Sequence, residues 1–333
     1  SIRSTISKNG SSPNNSRLNN GRAKAIQVPD IARHENGNTG IPYAWSLQGK
    51  APGPTVLISA LIHGNEICGA VALDHLLTSS FLPARGRLIL AFANVDAYAR
   101  FDSARPYLAR FINEDMNRLW SADILGGRQK SAELTRARAL RPLAEKADFL
   151  LDLHSTSLPA PAMLLSGAHK KGQAFARRMG YPSYVVADGG HSAGVRLRDF
   201  SDFGEPAGAK CAMLVECGQH FDSDSPTVAL KTVMAFLLAC GMIDDVPEDI
   251  PLLPRLGRQQ FIEVSETVTI RSDRFTFSGE FQCFEIIPKA GTQIAEDGSH
   301  KILTPYDDCV LVMPARQPVR GHTAVRLGRF VAG

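Results

Sequence analysis

His63 and Glu66 stand three residues apart at the end of an apolar run. An imidazole and a carboxylate are two of the commonest donors to zinc, and a catalytic zinc site takes three protein donors and keeps one open position. On its own the pair also fits a buried histidine beside a helix-capping glutamate, so a further donor must decide. His154 ends a second apolar stretch, which begins at Ala147, and Glu216 follows a third, Cys211 to Val215. Three apolar stretches thus end in polar residues of one chemistry, and chance explains that less readily than it explains a single pair.

The elements that must position these groups can be read around them. Thr55 to Ile62 carries no charge and lies between Pro54 and Gly64, the pattern of a buried strand in a parallel sheet. In open α/β sheets ligands bind at the carboxyl ends of the strands. Asn65 is a suitable N-cap, and Glu66 to Leu77 is expected as a helix that buries Ile67, Ala70, Val71 and Leu77. Asp152 lies two before His154, so on a strand both face one side. It either accepts the second N–H of a ligating His154 or caps a loop.

Along the rest of the chain, residues 1–23 are rich in Ser, Asn and Gly and read as a flexible arm. Ile41 to Leu47 suits an edge strand, Gly49 to Thr55 a turn, and Arg87 to Ala93 a strand. The turn lacks the order of a phosphate loop and precedes a strand instead of following one. A long irregular segment follows, then a helix over Ser131–Ala147, a strand over 162–166, a helix over Lys170–Met179 closed by Gly180, and a strand over Ser183–Ala187. Asp188 to Ala209 is loop-rich and leads to the stretch before Glu216. A helix from Asp224 or Ser225 runs to Cys240.

The fold class is therefore α/β, a mixed and mainly parallel sheet with helices on both faces. Residues 24–246 are expected to form the catalytic domain. Beyond the proline-rich stretch 244–254 the runs 261–270, 275–287 and 306–313 are β-type, which implies a small all-β domain over 255–333.

The balance of 44% hydrophobic and 21% charged residues is that of a soluble globular protein. A net charge of +4 is too small to imply nucleic acid as a partner, and no basic run offers a phosphate-binding stripe, so none is expected. No run of 18 apolar residues exists to span a membrane, and the N-terminus has no apolar signal core. The six cysteines include no CxxC pair and read as reduced thiols of a cytoplasmic protein. Cys217, beside Glu216, reads as a packing residue. The oligomeric state, a homo-oligomer included, is left open.

The motif His63-Gly64-Asn65-Glu66, the lone His154 in Asp-Leu-His-Ser and Glu216 in Val-Glu-Cys-Gly resemble the aspartoacylase/succinylglutamate desuccinylase family, within the wider zinc carboxypeptidase-like group. Arg110 to Arg118 resembles that family's arginine segment, which ends in D-x-N-R. The motifs run in family order over about 155 residues and are specific as a set; the region beyond residue 255 is matched only in outline.

The resemblance implies one Zn2+ per chain, held by His63, Glu66 and His154, that lowers the pKa of a bound water toward about 7. It implies Glu216 as general base and then acid, and Arg110 as a support for the oxyanion. Asn117 and Arg118 would hold a substrate carboxylate, Arg118 through a bidentate fork. Asp115 is read as shaping the loop. Arg196 and Arg198, in the loop before Glu216, are further candidates for an acidic group and have no matched counterpart in the family pattern. The expected activity is removal of an acyl group from an N-acyl amino acid or a similar small amide. Two other readings use the same residues: a carboxypeptidase acting on peptides, and a non-catalytic binding protein.

Overall fold

The computed structural model describes residues 26–251, 253–254 and 258–332, and the arm expected over 1–23 lies outside them. In chain order, β1 (Ala44–Gln48) and β2 (Ala51–Ala60) precede α1 (Cys68–Thr78) and β3 (Arg85–Phe92). The short α2 (Val95–Tyr98) and α3 (Ala122–Gly126) flank the arginine segment, and α4 (Ala132–Lys146) leads into β4 (Phe149–Thr156). Then come β5 (Met163–Leu165), α5 (Lys170–Met179), β6 (Tyr184–Ala187), β7 (Cys211–Gln219) and α6 (Ser225–Ala239). The remainder is β: β8 (Gln260–Thr269), β9 (Phe275–Phe277), β10 (Glu285–Ile287), β11 (Gln293–Asp297), β12 (His300–Leu303), β13 (Cys309–Val312) and β14 (Thr323–Val331).

Period-two alternation along β2 and β4 builds two cores. Val56, Ile58, Ala60, Leu151 and Leu153 face α1, α5 and α6, whereas Leu57 and Leu150 face α3 and α4 with Trp120. Leu73 and Leu76 of α1 are fully buried, and burying a leucine side chain stabilises by about 1.5–3 kcal/mol. Ser131 Oγ accepts from Leu134 N–H at 2.9 Å and starts α4 where the sequence indicated. Gly180 closes α5 in the left-handed conformation, φ 64°.

The sheet runs β1-β3-β2-β4-β7-β5-β6-β8-β14-β13-β10. The pairs β3/β2, β2/β4, β4/β7, β5/β6 and β6/β8 are parallel. The C-terminal region divides between two sheets. β8, β14, β13 and β10 extend the main sheet, while β9, β11 and β12 form a small antiparallel one. The proline-rich stretch before β8 is not a break in the sheet, because β8 pairs with β6 from Tyr184↔Gln260 to Ala187↔Glu263.

Three local expectations change. Strand β2 begins at Ala51, within the expected turn, with a register irregularity between Ala51 and Thr55. The run 275–287 is two short strands in different sheets, and Ser278-Gly279-Glu280 marks the break between them. Helix α1 begins at Cys68, not Glu66, with Ile67 in the N-cap place; the Asn65 side chain makes no cap and has no hydrogen-bond partner among the described residues.

Candidate active site

The late start of α1 has a local cause. Leu61 takes φ 63° as the chain leaves β2, a left-handed conformation that costs a non-glycine residue about 1–2 kcal/mol. The next residues form a tight turn in which Glu66 N–H donates to the His63 carbonyl at 3.2 Å. That turn folds the Glu66 carboxylate back onto the His63 ring. Gly64 lets the arginine segment close over it: a Cβ there would lie 2.4 Å from the Ala109 carbonyl oxygen. Gly64 N–H donates to the Arg110 carbonyl at 3.1 Å.

Register brings in the other donors. In β4 and β7, His154 stands opposite Glu216, and Asp152 of β4 stands opposite Ser59 of β2. The donor atoms of His63, Glu66 and His154 all lie within 4.8 Å of one another, and all three residues are buried. Glu66 Oε1 is 2.9 Å from His63 Nδ1 and Oε2 is 2.8 Å from His154 Nδ1. The outer nitrogens are occupied as well: His63 Nε2 is 2.8 Å from Asp115 Oδ1, and His154 Nε2 is 2.6 Å from Asp152 Oδ2. Outer carboxylates of this kind fix the tautomer that presents Nδ1 as a donor and make the ring more basic. Two imidazoles, which bind a metal ion once deprotonated, and one carboxylate, held by the outer contacts, are a set that can hold a divalent metal ion. Against the cost of burial, Asp152 and Glu66 hold the His154 imidazole well above its ordinary range.

Glu216 faces this triad, and its Oε2 is buried with no hydrogen-bond partner among the described residues. Burial pushes the Glu216 carboxyl up to about 8, with the Glu66 charge adding to the shift and His154, Arg326 and Arg110 opposing it. A carboxyl with a buried, unpartnered oxygen beside three metal-type donors is suited to carrying a proton.

The arginine segment closes one side. Arg110 donates to Glu66 Oε1 and to Asp115 Oδ2, each at 3.3 Å. Asp115 shapes the loop, accepting from Asn117 N–H at 2.8 Å, and also serves as the outer partner of His63. Its place in the D-x-N-R motif was the available signal for that second role. Asn117 Oδ1 accepts from Leu197 N–H at 2.9 Å. Arg118 donates from Nη1 to the Asn117 carbonyl at 2.9 Å, while its Nη2 is 3.9 Å from Asp115. Burial lowers the Arg118 guanidinium to about 10, with Asp115 opposing and Arg110, Arg326 and Arg196 adding to the shift.

These groups line one cavity of 810 Å³, within the size range of small-molecule sites. Arg198 does not line it. Its guanidinium is buried against Asp199 and the carbonyls of Ser166 and Ala212. Arg196 does line it, together with His191 and Arg326. The sequence reading had not picked out His191 or Arg326. The one available signal was an arginine within the apolar run Thr323 to Val331, where Ala324, Val325 and Leu327 are all buried. Ser155 and His220 also line the cavity and pair at 2.8 Å, Oγ to Nδ1, and Tyr107 packs against His220 with centroids 5.8 Å apart.

A strand-end donor triad facing a carboxyl with a buried, unpartnered oxygen is suited to metal-assisted hydrolysis, and comparison with known proteins supplies the class, an enzyme acting on amides. The family model described as the succinylglutamate desuccinylase/aspartoacylase catalytic domain matches residues 52–238, more than half of the chain. The chain belongs to the succinylglutamate desuccinylase/aspartoacylase family. Among solved structures it is similar to succinylglutamate desuccinylase from Vibrio cholerae, at 19% identity and TM-score 0.67, over 87% of this chain and 86% of that one. It is also similar to the succinylglutamate desuccinylase of Vibrio parahaemolyticus, at 19% identity and TM-score 0.65, over 87% of each chain. The product-bound ectoine utilization protein EutE (DoeB) of Ruegeria pomeroyi shares 18% identity at TM-score 0.56, over 86% of this chain and 87% of that one. At these identities the likeness is one of fold. A sequence search of curated proteins finds no match. Among the described residues no helix is long and apolar enough to cross a membrane.

Proposed function

We propose that the protein is a zinc-dependent deacylase that hydrolyses the amide bond of an N-acyl amino acid or a similar small carboxylate-bearing amide. The observation that carries this is Glu216, a carboxyl with a buried, unpartnered oxygen, facing the triad of His63, Glu66 and His154. The donor chemistry and the outer contacts of Asp115 and Asp152 support zinc as the ion held by the triad. Bound there, zinc would supply Lewis acidity and bring the pKa of a water toward about 7.

The chain's own residues supply the rest. Glu216 takes a proton from the attacking water and delivers it to the leaving amine nitrogen. Arg110 steadies the charge that develops on the carbonyl oxygen. Arg118 and Asn117 hold the substrate carboxylate, because a guanidinium with a free nitrogen beside a side-chain amide can bind both carboxylate oxygens. The six cysteines are free, which supports a reducing, cytoplasmic setting.

The test is a hydrolysis screen over N-acetyl-, N-formyl- and N-succinyl-amino acids, with metal analysis and a peptide panel. Hydrolysis of acyl amino acids with stoichiometric zinc is expected. Preference for peptides would make the protein a carboxypeptidase, and no turnover with no zinc would make it a binding protein.

A further inference from the structure

Ser155 and His220 form a second buried pair in the cavity, and neither has a part in the steps assigned to Glu216, Arg110, Asn117 and Arg118. A β-bulge brings the two together. The matched pair after His154↔Glu216 is Thr156↔Gln219, so β7 carries one extra residue there. Gly218 lies in that stretch at φ 105°, a conformation that residues with a side chain rarely adopt. A bulge re-aims the side chains beyond it. His220 N–H donates to the Thr156 carbonyl at 2.9 Å, and the ring meets Ser155 with Nδ1 2.8 Å from Oγ.

The neighbours of this pair belong to the reacting centre. Ser155 follows His154, and its N–H donates to Glu66 Oε2 at 3.3 Å. Arg110 donates to the other oxygen, Oε1, at 3.3 Å. Tyr107, three residues before Arg110, packs against the His220 ring. One oxygen of Glu66 is thus held by Arg110, and the other by the residue that holds His220. The hydrogen bonds decide where the ring carries its proton. Among the described residues Ser155 Oγ has no partner besides His220 Nδ1, and His220 Nε2 has none. A proton on Nδ1 would leave the serine hydroxyl hydrogen without an acceptor. With the hydroxyl donating to Nδ1, the proton sits on Nε2 and the serine is satisfied. Burial pushes the His220 imidazole down to about 4, with Glu66 opposing and Arg110, His63 and His154 adding to the shift, so the ring is neutral. A neutral ring held in this way presents one N–H, and none of the described residues accepts it.

We propose that His220 is a further catalytic residue: its Nε2–H donates to the scissile carbonyl oxygen as charge develops there, alongside Arg110, and Ser155 is the positioning residue that fixes the tautomer. This rests on the deacylase reading and deepens it. No proton leaves the ring; Glu216 carries the proton that the reaction moves. A donor already fixed in a buried site needs no reorganisation when the charge appears, which is what makes such donors effective.

The test measures kcat and KM of the zinc-loaded protein on the N-acyl amino acid it hydrolyses fastest, with zinc content and melting temperature beside them. His220→Phe keeps a ring against Tyr107 and removes the donor. It should lower kcat about a hundredfold to a thousandfold, the usual cost of losing one such donor, and leave KM and zinc content unchanged. Ser155→Ala leaves the ring packed and frees its tautomer. It should lower kcat about threefold to tenfold at constant KM, and it carries the test if His220→Phe does not fold. A near-normal kcat in the variants, a rise in KM in place of the fall in kcat, or loss of zinc overturns the proposal. A binding arm separates its failure from that of the deacylase reading. Methylphosphonate is tetrahedral and charged, as the reacting centre becomes. It should raise the melting temperature of the zinc-loaded protein more than acetate does, and His220→Phe should remove most of the difference. That result with no amide hydrolysed keeps the donor and removes the deacylase. Hydrolysis by a protein in which methylphosphonate has no advantage, or keeps it in His220→Phe, does the reverse. Neither hydrolysis nor a methylphosphonate effect overturns both.

Discussion

His154, buried, and His191, half-buried, stand in the walls of one cavity and have opposite surroundings. His154 lies between Asp152 and Glu66, which stabilise its charged form despite burial. His191 lies against Arg326, with Arg118 and Arg196 near, and is held neutral. Burial disfavours the charged form of both, so the sign of the neighbouring charge decides the difference. The cavity has an acidic end that can collect a cation and hold its ligands in place. It has a basic end that can collect an anion. Glu216 lines the same cavity, and its carboxyl, pushed up by burial, is pushed further by the Glu66 charge and opposed by Arg326.

Changes at the acidic end should have the largest effects. His154→Ala removes one of three donors, and both bound metal and hydrolysis should fall to background; full zinc occupancy in that variant, by elemental analysis, would take His154 out of the ligand set. Within the same cavity, Glu216→Gln should keep its metal and lose kcat by about a hundredfold or more, since acid–base catalysis is typically worth 10²–10⁴. A near-normal rate there would assign the proton to another group. Asp152→Asn keeps the shape of the outer partner and removes its charge, so zinc should bind about 10–100-fold more weakly in a chelator competition. At the basic end, Arg118→Lys should raise KM for an acyl amino acid and lower kcat/KM about tenfold to a hundredfold. The amide-capped analogue should already be poor and lose little more; equal effects on acid and amide would make Arg118 structural. The smallest effect on recognition is expected from Arg198→Gln. It should lower the melting temperature, since it removes bonds to Asp199, Ser166 and Ala212, and leave the acid-to-amide ratio unchanged. A changed ratio would put Arg198 back in the site.

The acidic end was legible in the sequence because each donor follows a mainly apolar run that reads as a buried strand, and strand ends of a parallel sheet converge. His63, Glu66, His154 and Glu216 all follow this rule. Asn65 was misread because a helix start was inferred from residue type alone, whereas the left-handed Leu61 and the turn over His63–Glu66 delay the helix to Cys68. The basic end was legible only in part. Arg118 and Arg196 sit in segments that sequence reasoning already tied to the site. Arg326 arrives through the pairing of β14 with β8 and of β8 with β6, and such long-range register leaves no local pattern. Choosing between Arg196 and Arg198 needed the backbone, because the short helical turn over Leu197–Asp199 sends alternate side chains in different directions.

The pairing of β6 with β8 also bears on how the chain reaches its native state. Val185 and Val186 of β6 are fully buried, and until Phe261 and Ile262 dock beside them this apolar edge is open to any other extended chain. The segments that close it lie more than 70 residues further along, so closure is slow in the sense that distant contacts are slow. A chain emerging from synthesis would pass through a stage in which the strands that position His63, His154 and Glu216 are all present while the sheet is still adhesive at one edge. Acquisition of the last strands is then as much a matter of escaping aggregation as of completing a pocket.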